Sequence, residues 1–293
     1  MTFNQIMNLS GMSVCGYTMT RVLGQGQYGT VYHATSGAHE IAVKLSTDQQ
    51  EHINEVKCLQ HLAHTQNVVP RFYFSIGDEQ LKVMGLELCG LNLLSLLKTT
   101  PNGRFDPDIV QKIGYHTIGC LHVLHQYGIA HRDIKLENFV LAQSDLHGRS
   151  TIRVIDSGCA RLMENDDRAD INFRAMQHAS PEVMIANRPT RKDDLIQWSY
   201  AILHASGFDV VEVFNMVTEE LFMWKKQLLS NPSSILINEF RWMTPMFEEI
   251  AEFKCDSDYN YTGIKFCIRE SIPHTTPEEP FTFIIVDGML MLQ

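Results

Sequence analysis

His131-Arg132-Asp133-Ile134-Lys135-Leu136-Glu137-Asn138 is the stretch on which the reading of this chain turns. It places a carboxylate, a cation two residues on and an amide five residues on within one short loop. That set suits transfer of a phosphoryl group. Asp133 takes or orients the proton of the attacking hydroxyl, Lys135 neutralises charge on the moving group, and Asn138 offers an oxygen to Mg2+. Such a reaction asks for little covalent help, so positioning and charge stabilisation carry it.

Working downstream, Asp156-Ser157-Gly158 closes the apolar strand Thr151-Ile152-Arg153-Val154-Ile155, eighteen residues after Asn138. Alone it would be any turn. In that place Asp156 is positioned to hold Mg2+ between phosphates. Upstream lies Leu23-Gly24-Gln25-Gly26-Gln27-Tyr28-Gly29-Thr30-Val31. Gly24, Gly26 and Gly29 would let a tight strand-turn-strand lie over phosphates with backbone N–H groups facing them. A plain hairpin stays open on this motif alone. A strand follows it, not a helix, which argues against a dinucleotide fingerprint. Thirteen residues after Val31, Lys44 ends the strand Ile41-Ala42-Val43-Lys44. A lysine there can hold α- and β-phosphates if a helix carboxylate orients it. Glu55 is the preferred partner and Glu51 the fallback; a solvated surface charge is the plain alternative for either.

The surrounding pattern has two parts. From Tyr17 to about Gly90 short alternating strands dominate, including Tyr17–Leu23, Val31–Ala34 and a buried run from Leu81 to Leu88. One helix interrupts them. Thr47 with Gln50 three residues on has capping-box spacing, and Ile53, Val56, Leu59 and Leu62 give an apolar face. From Leu91 helices take over, with a long one between Phe105 and Tyr127 and Pro107 in its first turn. The expected fold is α+β: an N-terminal antiparallel sheet with one helix (17–90) and a larger, mostly helical lobe (91–273), after a lead-in (1–16). Residues 274–293 read as a tail with two apolar strands about Asp287-Gly288. It either packs on its own domain or serves as an autoinhibitory or dimerising element.

Composition narrows the classes further. The formal charge of −10 makes nucleic acid a poor partner. No apolar run reaches the roughly 18 residues of a membrane span, and the N-terminus lacks the basic start and apolar core of a signal peptide. Seven scattered cysteines without C-x-x-C spacing fit a reducing compartment, so a cytoplasmic or nuclear location is expected.

With these residues in hand, the chain resembles the eukaryotic protein kinase superfamily over about residues 17 to 273, and within it the casein kinase 1 group near its tau-tubulin-kinase-like branch. Arg191-Lys192-Asp193-Asp194-Leu195, His178-Ala179-Ser180 and Met84-Gly85-Leu86-Glu87-Leu88-Cys89-Gly90 carry the subgroup likeness. The resemblance implies an ATP- and Mg2+-dependent enzyme acting on protein serine or threonine, since Lys135 follows Asp133 by two. By the same match Leu86 is the gatekeeper, and the backbone of Glu87 and Cys89 bonds adenine. Leu23, Val31, Ala42 and Val140 enclose the base, and Asp194 braces the catalytic loop.

Departures from the family pattern point another way. Ser157 replaces a phenylalanine that packs under the helix bearing Glu55, which predicts a weakened Lys44–Glu55 pair. Ala175 lacks a hydroxyl that braces the catalytic aspartate. Gln177 lacks an arginine tied to pre-phosphorylated substrates, and only Trp224-Lys225 remains of a G-x-x-P-W motif. A nucleotide-binding pseudokinase acting as a scaffold is therefore the alternative reading, and a small-molecule kinase a third. Between Gly158 and Glu182 the sole hydroxyl is Ser180, amid Glu164, Asp166, Asp167 and Asp170, so activation by phosphorylation there is not expected.

Overall fold

The computed structural model describes residues 9–26, 29–65, 67–162, 177–186, 190–253, 260–286 and 289–293. Gln27, Tyr28, the acidic residues of 164–170, Arg174–Met176 and the Asp287-Gly288 turn lie outside them. The fold has two lobes. The smaller is a six-stranded antiparallel sheet, β1 (Ser13–Val14), β2 (Tyr17–Gly26), β3 (Gly29–Ser36), β4 (His39–Ser46), β5 (Phe72–Gly77) and β6 (Lys82–Glu87), in the order β1-β2-β3-β4-β6-β5. Helix α1 (Gln49–His61) lies between β4 and β5 in sequence.

Strand periodicity sorts the sheet's two faces. Tyr32, Ala34, Ile41, Val43, Leu45 and Val83 form a small core on one face. The pairings Val31↔Lys44, Lys44↔Met84 and Ala42↔Leu86 put the other set together toward the second lobe. Gly85 is glycine for a packing reason: a Cβ there would lie 2.4 Å from the Phe74 ring.

Three local expectations need correction. The cap of α1 is Asp48, whose carboxylate accepts the Glu51 N–H at 2.9 Å; Thr47 stands one residue too early. The buried stripe of α1 is His52, Glu55, Cys58, Leu59 and then Leu62, while Ile53 and Val56 are only partly covered. This follows the helical period, so an exact three-residue repeat drifts off the face. The last sheet strand begins at Lys82, with Leu81 exposed. The short strands β1 and β5 had no clear alternation in the sequence.

The larger lobe follows α2 (Leu93–Leu97) with α3 (Pro107–Gln126), β7 (Ile129–Ala130), β8 (Phe139–Leu141), β9 (Ile152–Val154), β10 (Arg161–Leu162), α4 (Pro181–Ala186), α5 (Arg191–Ala205), α6 (Val210–Phe214), α7 (Thr218–Ser230), α8 (Thr244–Glu252) and α9 (Tyr261–Ser271). Helix α3 starts with Pro107 just inside its first turn, where a missing N–H costs nothing. It packs on α5 and α9 through Ile113, Thr117, Trp198, Ile202 and Ile268, all buried. Each such large apolar side chain contributes about 1.5–3 kcal/mol by leaving water. Trp198 Nε1 donates to Thr117 Oγ1 at 2.7 Å, so its one polar atom is satisfied inside.

The tail forms β11 (Phe283–Val286) paired antiparallel with β12 (Met289–Leu292). Phe281 and Leu292 are buried in the large-lobe core. Ser150 and Phe281 exchange two backbone hydrogen bonds, of 2.8 and 2.9 Å, just ahead of β9. Among the described residues no helix is long and apolar enough to cross a membrane.

Candidate active site

Two short supports hold the loop between β7 and β8 in place. Asp194, buried near the start of α5, accepts the backbone N–H of His131 at 2.6 Å and of Arg132 at 2.7 Å. One turn further along α5, Gln197 accepts the Ile134 N–H at 2.8 Å. His131 in turn meets the Ile155 carbonyl at 3.0 Å, joining this loop to the end of β9. The loop is strained: Arg132 has φ 74 and Asp156, across from it, has φ 62. Non-glycine residues enter that region at a cost and concentrate at working sites.

On this frame sits a compact polar cluster. Asp133 Oδ2 accepts from Lys135 Nζ at 2.9 Å and from Asn138 Nδ2 at 3.0 Å. Burial alone would raise the Asp133 carboxyl, but His178 and Lys135 hold it well below the usual carboxylate range. Because Asn138 spends its amide nitrogen on Asp133, its amide oxygen is the end left for another partner. Asp133 Oδ1 is buried with no aligned hydrogen-bond donor among the described residues, although His178 Nε2 lies 2.9 Å away.

The second cluster spans the lobes. Lys44, from β4, donates to Glu55 Oε2 of α1 at 2.6 Å and to Asp156 Oδ1 at 2.7 Å. Burial would depress the Lys44 ammonium; the Glu55 and Asp156 carboxylates hold it well above its ordinary value. Lys44 likewise keeps Asp156 below the carboxylate range although burial opposes it. Glu51 is not the partner. Burial, with Asp48 and Asp156 nearby, pushes its carboxyl up to about 7.

The expected weakening of the Lys44–Glu55 pair is not what the structure shows; the pair is closed. A polar tie stands where a ring would have packed: Asn54 Nδ2, on α1, donates to the Gly158 carbonyl at 3.0 Å, beside the buried Ser157.

The remaining sequence candidates fall around the space between the lobes. Gly24 and Gly26 face open space, with nothing within 4 Å of where a Cβ would stand. Gly29 is different: a Cβ would lie 2.0 Å from the Leu45 carbonyl, so close strand packing demands glycine. Val31, Ala42 and Leu86 share the cleft-side face of the sheet, Leu23 is exposed at its edge, and Val140 is buried on β8. The Glu87 side chain turns away from this face, accepting from Arg71 N at 3.0 Å and pairing with Arg153 at 3.1 Å. Among the described residues the backbone of Cys89 has no hydrogen-bond partner. An apolar slot, an unpaired backbone edge and open glycines fit a purine nucleotide. Asp156 and the Asn138 amide offer hard oxygen ligands, and Mg2+ asks a protein for one or two, taking the rest from phosphates and water.

Sequence reasoning missed Gln197, Asn54 and His178. Gln197 had a usable signal, since it follows Asp194 by three and so shares its helix face. The other two had none, because their partners lie far off in sequence.

A two-lobed fold with these clusters at the junction has the architecture of a protein kinase domain, and the comparisons agree on the family. Residues 17–255 match the protein kinase domain model, and the chain belongs to that family. It is 29% identical over 201 residues to a putative dual specificity tyrosine-phosphorylation-regulated kinase 3 homolog of Drosophila melanogaster, covering 64% of this chain and 23% of that protein. It is 26% identical over 201 residues to calcium/calmodulin-dependent serine/threonine-protein kinase 1 of Oryza sativa subsp. japonica, covering 64% and 32%. The chain thus spans about a quarter to a third of the length of these curated relatives. The structure of vaccinia related kinase 3 shares the fold with a TM-score of 0.76 at 15% identity, over 90% of each chain.

Proposed function

We propose that this chain is an active serine/threonine protein kinase, passing the γ-phosphate of Mg-ATP to a protein hydroxyl. The observation that carries the reading is the bridge from Lys44 to Glu55 and Asp156 at 2.6 and 2.7 Å, facing Asp133 with its retinue of Lys135 and Asn138. In this reading the Cys89 and Glu87 backbone meets adenine, with Leu23, Val31, Ala42, Leu86 and Val140 around the base. Gly24, Gly26 and Gly29 lie over the phosphates. Lys44 orients the α- and β-phosphates, while Asp133 accepts the proton of the acceptor hydroxyl. Asn138 and Asp156 would hold Mg2+, which when bound neutralises phosphate charge.

The subgroup nearest in this reading is casein kinase 1, on the strength of Arg191–Leu195, where Asp194 supports the catalytic loop. Gln177 stands where that group has the arginine tied to primed substrates, so the likeness does not extend to substrate preference. Six free thiols among the described residues support a cytoplasmic or nuclear setting.

The test is incubation of purified protein with labelled ATP, Mg2+ and casein beside an Asp133→Asn control. Label on casein that vanishes in the control supports the enzyme. ATP binding with no transfer supports the scaffold reading, and label on a sugar or amine but never on protein would point to a small-molecule substrate.

A further inference from the structure

His178 and Lys225 are two residues that the reaction outlined above does not use; the first lies against Asp133 and the second holds the backbone on either side of the first. His178 Nε2 lies 2.9 Å from Asp133 Oδ1. Both atoms are buried, and the approach is too oblique to count as an aligned hydrogen bond, so each is the other's near polar neighbour without being satisfied. Catalytic contacts commonly sit loose before substrate arrives and tighten afterwards. The Oδ1 atom has two lone pairs. It can therefore take a donor from His178 and a proton from an acceptor hydroxyl together.

The segment carrying His178 is fixed from behind. Lys225, on α7 and without solvent exposure, donates to the Gln177 carbonyl at 2.6 Å and the Ala179 carbonyl at 2.6 Å. Its ammonium also lies 5.6 Å from the Tyr200 ring centre and 5.4 Å from that of Phe214. Among the described residues no carboxylate pairs with it. A buried lysine with no counter-ion is costly. Here its two backbone hydrogen bonds bracket a single residue, beside a longer contact of 3.9 Å to the Met184 sulfur, and that residue touches the catalytic carboxylate.

We propose that His178 is a positioning residue for Asp133, holding its carboxylate toward the acceptor hydroxyl, and that Lys225 sets His178 by gripping the carbonyls on either side of it. The proposal rests on the kinase reading given above. Lys135 and Asn138 face Asp133 from its own loop, Asp156 from the end of β9, and Cys159 from the turn after it. His178 is the described donor from the far side.

Two measurements on the purified chain test it. In casein phosphorylation, His178→Ala is expected to lower kcat roughly 10- to 100-fold while the KM for ATP stays within about twofold. His178→Gln, which keeps an N–H donor, recovers most of the loss. Lys225→Met falls to the same level, and the double variant falls no further than the worse single one. Independently, the carbon-13 chemical shift of the Asp133 carboxyl at one fixed neutral pH is expected to move in His178→Ala and to return toward wild type in His178→Gln. That readout needs no turnover, and it holds even if Lys225→Met proves unstable. An unchanged kcat in His178→Ala overturns the proposal, as does a carboxyl shift identical to wild type. A wild-type protein that transfers no phosphate overturns the kinase reading instead, and the carboxyl shift then decides alone whether His178 holds Asp133.

Discussion

Lys44 is shared by two carboxylates, which decides what its removal does. Lys44→Met leaves Glu55 and Asp156 facing one another without a cation. We expect loss of kcat/KM for ATP by about 10²- to 10³-fold, the scale of one lost preorganised charge contact, with the folded state still present by circular dichroism. Lys225 gives a prediction in pH. Burial pushes its ammonium down to about 7 from an ordinary 10.5, while the two carbonyls and two aromatic faces resist that push. An unfolded chain holds the proton up to about 10.4, so between those values it binds more protons than the folded chain, and stability rises with pH. Below pH 7 both states are charged and the burial penalty is felt in full. Urea unfolding of Lys225→Met should therefore show a flatter rise from pH 7 to 9 than wild type; an identical slope would count against a depressed lysine.

At the scale of elements, helix α1 owes its place to polar ties as much as to its apolar stripe. Asn54→Ala removes the bond to the Gly158 carbonyl and should cost about 1 kcal/mol in urea unfolding, with a larger fractional loss of kcat than of stability because the helix carries Glu55. Sheet packing gives a sharper case. Gly29→Ala would drive a Cβ to 2.0 Å from a backbone carbonyl, so we expect a drop of about 1–3 kcal/mol and weaker ATP binding by thermal shift. Much of this layer was legible beforehand. The Asp133–Asn138 spacing and the long helix from Pro107 could be read from the chain, and Glu55 was the preferred partner of Lys44, with Glu51 left open until the structure paired Lys44 with Glu55. The cap of α1 was not, because Thr47 and Asp48 are both good caps and only the chain's exit from β4 chooses between them. Nor was the effect of Ser157. A missing ring can be read from sequence, but a compensating Asn54 becomes visible only once α1 lies against the turn.

For the whole molecule, the two lobes share one apolar cluster, into which Cys58, Leu59, Leu62 and Met84 of the smaller lobe pack, and the larger is closed by its own tail. Ser180 lies within that lobe, fully buried, its hydroxyl bonded to Asp193 and accepting the Val183 N–H at 3.1 Å. A modifying enzyme would need local unfolding to reach it. Mass spectrometric mapping of protein with full activity should find Ser180 unmodified, and an activating phosphate there would refute this. Deleting residues 279–293 would uncover the site of Phe281 and remove its contacts with His116 and Lys112. We expect about 3–5 kcal/mol lost from the large lobe, the scale of emptying an aromatic core site, read as a lower urea midpoint. The reciprocal bonds of Ser150 and Phe281 have one more consequence. Each amide hydrogen is locked in the other's carbonyl, so neither can trade with deuterium until both let go. Two positions far apart along the chain should thus keep a common clock, and its ticking reports how often the strand that delivers Asp156 comes loose.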